Sequence, residues 1–273
     1  MTKYRLSQQH LNLLTTCPRK FQHLYLDNLS IPTTSAEQER LNWGSQFHLL
    51  MQQRELGLPI EPLMLENQEM QHCFNNFSQA ASEILEPETQ NNIILRQAEH
   101  NRSLNFNLYI LTVIYDLLIA ENQQAQIFDW KTYSHPQNKK KLAQNWQTRL
   151  YLYTLVETSK YLPETISMTY WFIQPKSQSL PYKLKFYYNQ QAHIKTEQDL
   201  QQILDNLTYW LKHYQEEGEE FPQVQVLDSC NTCQFATRCK RFSEVYDKPP
   251  YIESTNISDD LISSLDSIPE ISI

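Results

Sequence analysis

The sequence predicts an α/β protein in which a central mixed β-sheet is flanked by helices. Two patterns carry that prediction. The first hundred residues, and again residues 191–216, repeat apolar side chains at near-helical spacing. The stretches NIILRQAEH, LNFNLYILTVIYDLLIA and QAQIFDWKTY are instead dense in β-branched and aromatic residues and are separated by polar turns. A chain of 273 residues with 40% hydrophobic content is long enough for one core, or one core plus a small appendage, and one compact domain is expected.

In order along the chain, Ser7 is placed to cap a short helix carrying Leu11 and Leu14, and a second helical stretch after Cys17-Pro18 carries Phe21, Leu24 and Tyr25. Residues 37–56 set Leu41, Phe47, His48 and Met51 at helical spacing, and residues 65–85 do the same with Met70, Phe74, Phe77 and Ile84. Three antiparallel strands follow, with Asp116 expected at the end of one and Asp129 at the end of the next. Residues 139–160 return to helix, strands are expected over 165–174 and 182–188, and a long helix covers 191–216. Residues 251–273 hold five acidic and no basic side chains and cannot bury enough apolar surface to order themselves. The expected organisation is one domain over residues 1–250 and an acidic tail over 251–273.

Composition narrows the function. Three glycines cannot supply a Walker or Rossmann phosphate loop, so an ATPase or dinucleotide enzyme is not expected. The net charge of −8 argues against a broad electrostatic DNA binder, although −5 of it sits in the tail and the body is nearly balanced. No long apolar run or apolar leader is visible, so a cytoplasmic protein without a membrane span is expected. Five cysteines are too few for a disulfide scaffold and are better read as metal ligands or reactive thiols.

Asp116 and Asp129-Trp130-Lys131 offer two carboxylates and an ammonium on neighbouring strands, with Asp129 and Lys131 on one face. Oxygen ligands hold Mg²⁺ or Mn²⁺, and the lysine orients or polarises a nucleophilic water, as phosphodiester hydrolysis requires. An Asp-x-Lys triplet alone arises roughly once by chance in a chain this long. The ordered set around it, Gly44-x-x-x-His48, Glu99, Asp116, Asp129-x-Lys131 and Gln147-x-x-x-Tyr151, is far more specific.

With LSQQHLNLLTTCPRKF near its start, the chain resembles the RecB-like branch of the PD-(D/E)XK nucleases over roughly residues 4–241. The resemblance implies a restriction-endonuclease-like core and metal ligation by His48, Asp116 and Asp129. It makes Lys131 the catalytic lysine and places Gln147 and Tyr151 on a helix near DNA. It also implies an exonuclease acting on single-stranded ends. The family often has a glycine shortly before the first aspartate, where this chain reads Thr112-Val113-Ile114-Tyr115-Asp116. The alternative is a non-catalytic DNA-binding or scaffold subunit that keeps the fold; filled acidic and lysine positions argue for the enzyme.

Cys230-x-x-Cys233-x5-Cys239 supplies three thiolates and Cys17 a fourth, a set that fits either a [4Fe-4S] cluster or tetrahedral zinc. One early and three late cysteines resemble the iron-sulfur nucleases of the RecB-like group, the CRISPR-adaptation exonucleases and AddB-type subunits. That likeness implies the cluster, and with it a helicase or CRISPR-adaptation partner. Cys73, on an apolar stripe with Phe77, reads as a core thiol. Arg19, Lys20, Lys139 to Lys141 and Arg238 to Arg241 form either a DNA track or ordinary solvated faces.

Overall fold

A long antiparallel hairpin organises the sheet. Strands β2 (Ile93–Phe106) and β3 (Tyr109–Glu121) pair along nearly their whole length and turn through Asn107 and Leu108. Asn107 takes a left-handed φ of 52°, which asparagine tolerates better than most residues, so the hairpin reverses in two residues. The sequence reading broke this hairpin several residues earlier, because nothing but Asn107 marks the turn.

The computed structural model describes residues 4–30, 32–65, 67–85, 93–132, 138–174, 180–225 and 227–241. The acidic tail over 251–273 lies outside the described residues. The described residues form two compact units, one of residues 4–8 and 34–199 and one of residues 9–33 and 200–241.

The larger unit contains the sheet. Strand β1 (Tyr4–Leu6) lies parallel to β3 at Tyr109 to Leu111, while β4 (Ala125–Lys131) runs antiparallel to β3 at Leu117 to Ala120. Strand β5 (Ile166–Phe172) is parallel to β4 along its full length, and β6 (Tyr182–Tyr187) closes the row antiparallel to β5. The order is β1-β3-β4-β5-β6, with β2 on the other side of β3, which makes the sheet mixed.

Helix α3 (Ser35–Glu55) starts in a capping box, in which the Thr34 hydroxyl accepts from Glu37 N–H and the Glu37 carboxylate accepts from Thr34 N–H. Its Phe47, Leu50 and Met51 pack with Met70, Phe74 and Phe77 of α5 (Gln68–Ala80), which lies in sequence between the short helices α4 (Glu61–Leu65) and α6 (Ser82–Leu85), on Leu117, Ile119, Phe128, Trp130 and Trp171 of the sheet. The helix expected over 139–160 is broken in two, α7 (Lys139–Gln144) and α8 (Trp146–Glu157). Asn145 makes the break: its backbone is extended (φ −63°, ψ 142°) and its side-chain oxygen accepts from Gln147 N–H at 2.7 Å.

The smaller unit begins with α1 (Gln8–Thr16) and α2 (Pro18–Phe21), which runs into a π-helical turn over Gln22–Leu26. The 28-residue helix α9 (Gln190–Glu217) belongs to the larger unit up to Asp199 and to the smaller from Leu200. Among the described residues no helix is long and apolar enough to cross a membrane.

Phe77 is 0% exposed and meets Phe47, Trp130 and Trp171 edge to face, with ring centres 5.9, 5.2 and 5.4 Å away. Phe77→Ala is expected to cost about 3–5 kcal/mol in urea unfolding, since few neighbours can collapse into the space. A loss under about 1 kcal/mol would contradict this packing.

Candidate active site and cysteine group

The β3–β4 ladder ends at Leu117↔Phe128. The next pair in register would set Asp116 directly opposite Asp129, and like charges directly opposed on adjacent strands destabilise the pairing. The strands part there, and Asp116 Oδ2 instead accepts the Trp130 N–H at 2.6 Å. Asp116 is therefore not at a strand end, as the sequence reading had it, but well inside β3, at the point where β4 leaves it.

His48 reaches the same place from α3. Its Nε2 lies 3.0 Å from Trp130 O and its Nδ1 3.3 Å from Asp116 Oδ1. The carbonyl can only accept, so Nε2 carries a proton and Nδ1 is the nitrogen turned to the carboxylates. One turn earlier, Gly44 lets the helix come close to the end of β4, because a Cβ there would sit 2.9 Å from Thr132 Oγ1.

The third arm is Glu99, in the left-handed region at φ 47° within β2, between the pairs Ala98↔Leu117 and His100↔Tyr115. Such a conformation costs a glutamate about 1–2 kcal/mol, and strain of this kind concentrates at functional sites. Ligand atoms of His48, Glu99 and Asp116 all lie within 4.8 Å of one another. An ion with donors about 2.1 Å away fits between them, and a carboxylate-imidazole set suits Mg²⁺ or Mn²⁺.

The expected trio of His48, Asp116 and Asp129 is thus not the one whose donor atoms converge most closely; Glu99 takes the third place. Asp129, 2% exposed, is engaged on both oxygens, Oδ1 by Gln147 Nε2 at 2.8 Å and Oδ2 by Lys131 Nζ at 3.0 Å. The Lys131 ammonium also stands 5.5 Å from the centre of the Tyr170 ring. Tyr151 is 2% exposed, its ring against Tyr115 and its carbonyl accepting the Tyr115 hydroxyl at 3.0 Å. These contacts hold α8 against β3.

The electrostatics follow from this crowding. Burial lowers the His48 imidazole, but Asp116, Asp129 and Glu99 together outweigh it and raise the group to about 9. Burial raises Asp129, reinforced by Asp116 and opposed by Lys131 and His48. Sequence reasoning placed Glu99 in the ordered set without giving it a role, and missed the Asn145 cap that orients Gln147. The signal for the cap was an asparagine two residues ahead of Gln147.

The four cysteines lie in the smaller unit, all half-buried. Cys17 precedes α2 in extended conformation with Pro18 in the first turn, a favoured start for a helix. Arg19 N–H donates to Pro222 O at 3.1 Å, Arg19 Nε to Phe221 O at 2.6 Å, and Gln22 Oε1 accepts Phe221 N–H at 2.8 Å. These bonds bring the Cys17 segment beside the stretch leading to Cys230, Cys233 and Cys239. Burial raises the Cys230 thiol, with Cys233 and Cys17 adding to it; burial also raises Cys239, opposed by Arg19 and reinforced by the other three cysteines. Arg19 and Arg241 are struts in this region, Arg19 paired with Glu220 at 2.5 Å and Arg241 donating to Gln223 at 2.6 Å. Cys73 is buried in the larger unit, its thiol donating to Gln174 O at 3.5 Å.

No curated protein matches the chain. One solved structure with the same fold, titled "Putative exonuclease" from Eubacterium rectale, superposes with a TM-score of 0.51 at 11% identity over 97% of this chain and 93% of that one. A second, SSO0001, superposes with a TM-score of 0.38 at 12% identity over 89% of each chain. Residues 5–240, which include the sheet, the carboxylates, Lys131 and all the cysteines, match the PD-(D/E)XK nuclease superfamily, and the chain belongs to that superfamily.

Proposed function

We propose that the chain hydrolyses DNA phosphodiester bonds with Mg²⁺ or Mn²⁺, working from single-stranded ends. The observation that carries this reading is the convergence of His48, Glu99 and Asp116 donor atoms beside the Asp129–Lys131 pair. When bound, a divalent ion there supplies a water of lowered pKa and offsets charge on the phosphate. Asp116 and Glu99 provide hard oxygen donors, His48 provides Nδ1, and Asp129 is the neighbouring carboxylate on the far side of the gap. Lys131 orients the attacking water and stabilises charge on the phosphate oxygens. Gln147 holds Asp129 in place, so that the ammonium and the carboxylate keep their spacing.

We also read Cys17, Cys230, Cys233 and Cys239 as the ligands of one [4Fe-4S] cluster. The four thiols act on one another's electrostatics, Cys233 and Cys17 on Cys230 and the other three on Cys239, which supports a shared group. Ligation would tie the segment at residue 17 to that at 230–239, closing a loop of the chain that is otherwise free in the unfolded state. A helicase or CRISPR-adaptation assembly is the partner class this reading implies.

End-labelled single-stranded DNA incubated with purified protein is expected to shorten with Mn²⁺ and to stay intact with chelator. DNA left uncut with either Mg²⁺ or Mn²⁺ would overturn the reading. Lys131→Ala should slow cleavage by about 10² or more while DNA binding persists, because the ammonium acts on the reacting groups. Glu99→Gln should weaken Mn²⁺ binding by at least about tenfold in calorimetry, and unchanged affinity would remove Glu99 from the metal site.

The proton on His48 gives a further expectation. Without metal the imidazole stays protonated up to about 9, and a metal needs the Nδ1 lone pair, so binding must expel that proton. Mn²⁺ affinity should therefore fall as pH drops below about 9, by up to roughly tenfold per unit. Equal affinity at neutral and mildly alkaline pH would contradict the ligand role of His48. For the cysteines, Cys17→Ser should give colourless, iron-poor protein when purified without oxygen, and Cys73→Ser should not. Zinc in place of iron would refute the cluster.

A further inference from the structure

Beside α6, the face of the sheet that carries the aromatic core also floors a cavity of about 380 Å³. All of its lining residues belong to the larger unit. Ile84, Ile119, Phe128 and Trp171 make an apolar surface, and polar side chains from the sheet and from α6 surround it. Along β4 it is Gln126 and Phe128 that line the cavity, so by alternation Asp129 and Lys131 turn to the opposite face. The cavity is therefore separate from the candidate active site.

Trp171 is 2% exposed, yet its Nε1–H has no hydrogen-bond partner among the described residues. A buried donor left unsatisfied carries its full desolvation cost, so this one calls for an acceptor in the cavity that Trp171 lines. The charges around it are unevenly compensated. Lys183 Nζ stands 5.3 Å from the centre of the Trp171 ring and pairs with Glu83, an exposed contact of a kind that yields readily. Glu121 accepts from Gln124 at 2.8 Å. Lys185 has no carboxylate partner among the described residues: its Nζ meets Gln126 Oε1 at 3.4 Å and stands 5.3 Å from the centre of the Tyr187 ring.

We propose that this cavity binds a nucleoside monophosphate, with the base on the apolar floor taking the Trp171 N–H at an acceptor on its edge and the phosphate held by Lys185. The volume lies within the roughly 300–1,000 Å³ of small-ligand sites, where an apolar lining takes the body of a ligand and a few polar groups orient it. A plain anion would make no use of the floor, and an apolar ligand would leave both the indole N–H and the Lys185 ammonium unmet. A planar heterocycle with ring nitrogens or carbonyls, joined to a phosphate, satisfies both. Lys183 and Lys185 stand two residues apart on one face of β6, so Lys183, released from Glu83, can join Lys185 on the same phosphate. Glu121 is on β3, separated from β6 by β4 and β5, which keeps its charge away from the phosphate and at the side of the base. That such a nucleotide is a product of the chain's own reaction rests on the DNA-hydrolysis reading above; the binding site stands on its own lining.

The test is calorimetric titration of the full chain, in chelator, with thymidine monophosphate, thymidine and inorganic phosphate, on wild type, Lys185→Gln and Trp171→Phe. Wild type is expected to bind the nucleotide, and to bind thymidine and phosphate each at least about tenfold more weakly, as loss of one charge-assisted contact implies. Lys185→Gln should weaken the nucleotide by at least about tenfold and leave thymidine unchanged, whereas Trp171→Phe, which keeps an aromatic floor and removes the N–H, should weaken both. No nucleotide binding by wild type overturns the proposal, as does equal affinity in Lys185→Gln or phosphate binding as tightly as the nucleotide. Should Trp171→Phe fail to fold, Lys185→Gln decides the matter alone: weakened nucleotide with unchanged thymidine supports the proposal, and any other result overturns it. Chelator keeps a divalent ion out of the site of His48, Glu99 and Asp116, so binding is read whether or not the chain cuts DNA. Protein that binds the nucleotide and leaves DNA intact with Mn²⁺ keeps this site and loses the nuclease reading; protein that cuts DNA and does not bind the nucleotide loses this site alone.

Discussion

The hydrogen bond from Trp130 N–H to Asp116 Oδ2 marks the point on which the rest of the site depends. A backbone donor that loses its ladder partner inside a sheet must find another acceptor, since an orphaned buried amide costs about as much as a lost hydrogen bond. Asp116 provides it, and so allows β4 to leave β3 after Phe128 without an unsatisfied edge. The gap between the parted strands is where His48, Glu99 and Lys131 deliver their side chains. The Trp130 carbonyl, on the other side of the same residue, holds Nε2 of His48. One residue thus anchors both the carboxylate and the imidazole through its backbone, while its indole is buried between Phe77 and Phe128 in the core.

That arrangement concentrates charge where water is scarce. Burying a carboxylate such as Asp129 is tolerable only with partners on both oxygens, which Lys131 and Gln147 supply. The left-handed Glu99 and the closely approached Gly44 are further costs, offset by the aromatic core beneath the sheet. The sheet continues with β4 and β5 paired in parallel through Lys131↔Phe172, so β4 stays in the sheet on that side of the gap after β3 has departed. Asn145, by breaking α7 from α8, fixes the first turn that carries Gln147. The geometry is that of a preorganised site, with each functional side chain held from behind.

Much of this was legible in the sequence, for identifiable reasons. Strand and helix periodicities are strong where a segment has one buried face, so β3, β4, α3 and α5 could be placed from apolar spacing. His48, Asp116, Asp129, Lys131 and Gln147 stood out because their order and spacing are specific. What escaped depends on tertiary register. Strand β1 is three residues long and has no period to detect. The reading of Asp116 as a strand end failed because hydrophobic alternation runs through it into Leu117 and Leu118, and only the pairing shows where β4 departs. Glu99 belongs to the ordered set in the sequence, but its place beside His48 and Asp116 depends on a left-handed backbone that the sequence does not announce. The packing of Tyr151 against Tyr115 depends on how α8 lies on β3, which spacing along the chain does not fix.

The central claim is that the parted strands make a cation site from His48, Glu99 and Asp116, beside Asp129 and Lys131. Crystals grown with Mn²⁺ and measured at the manganese absorption edge test it most directly. One strong anomalous peak is expected within coordination distance of His48 Nδ1 and of carboxylate oxygens from Asp116 and Glu99. A fully occupied peak elsewhere with none between these three side chains, in crystals of protein that cuts DNA, would contradict it.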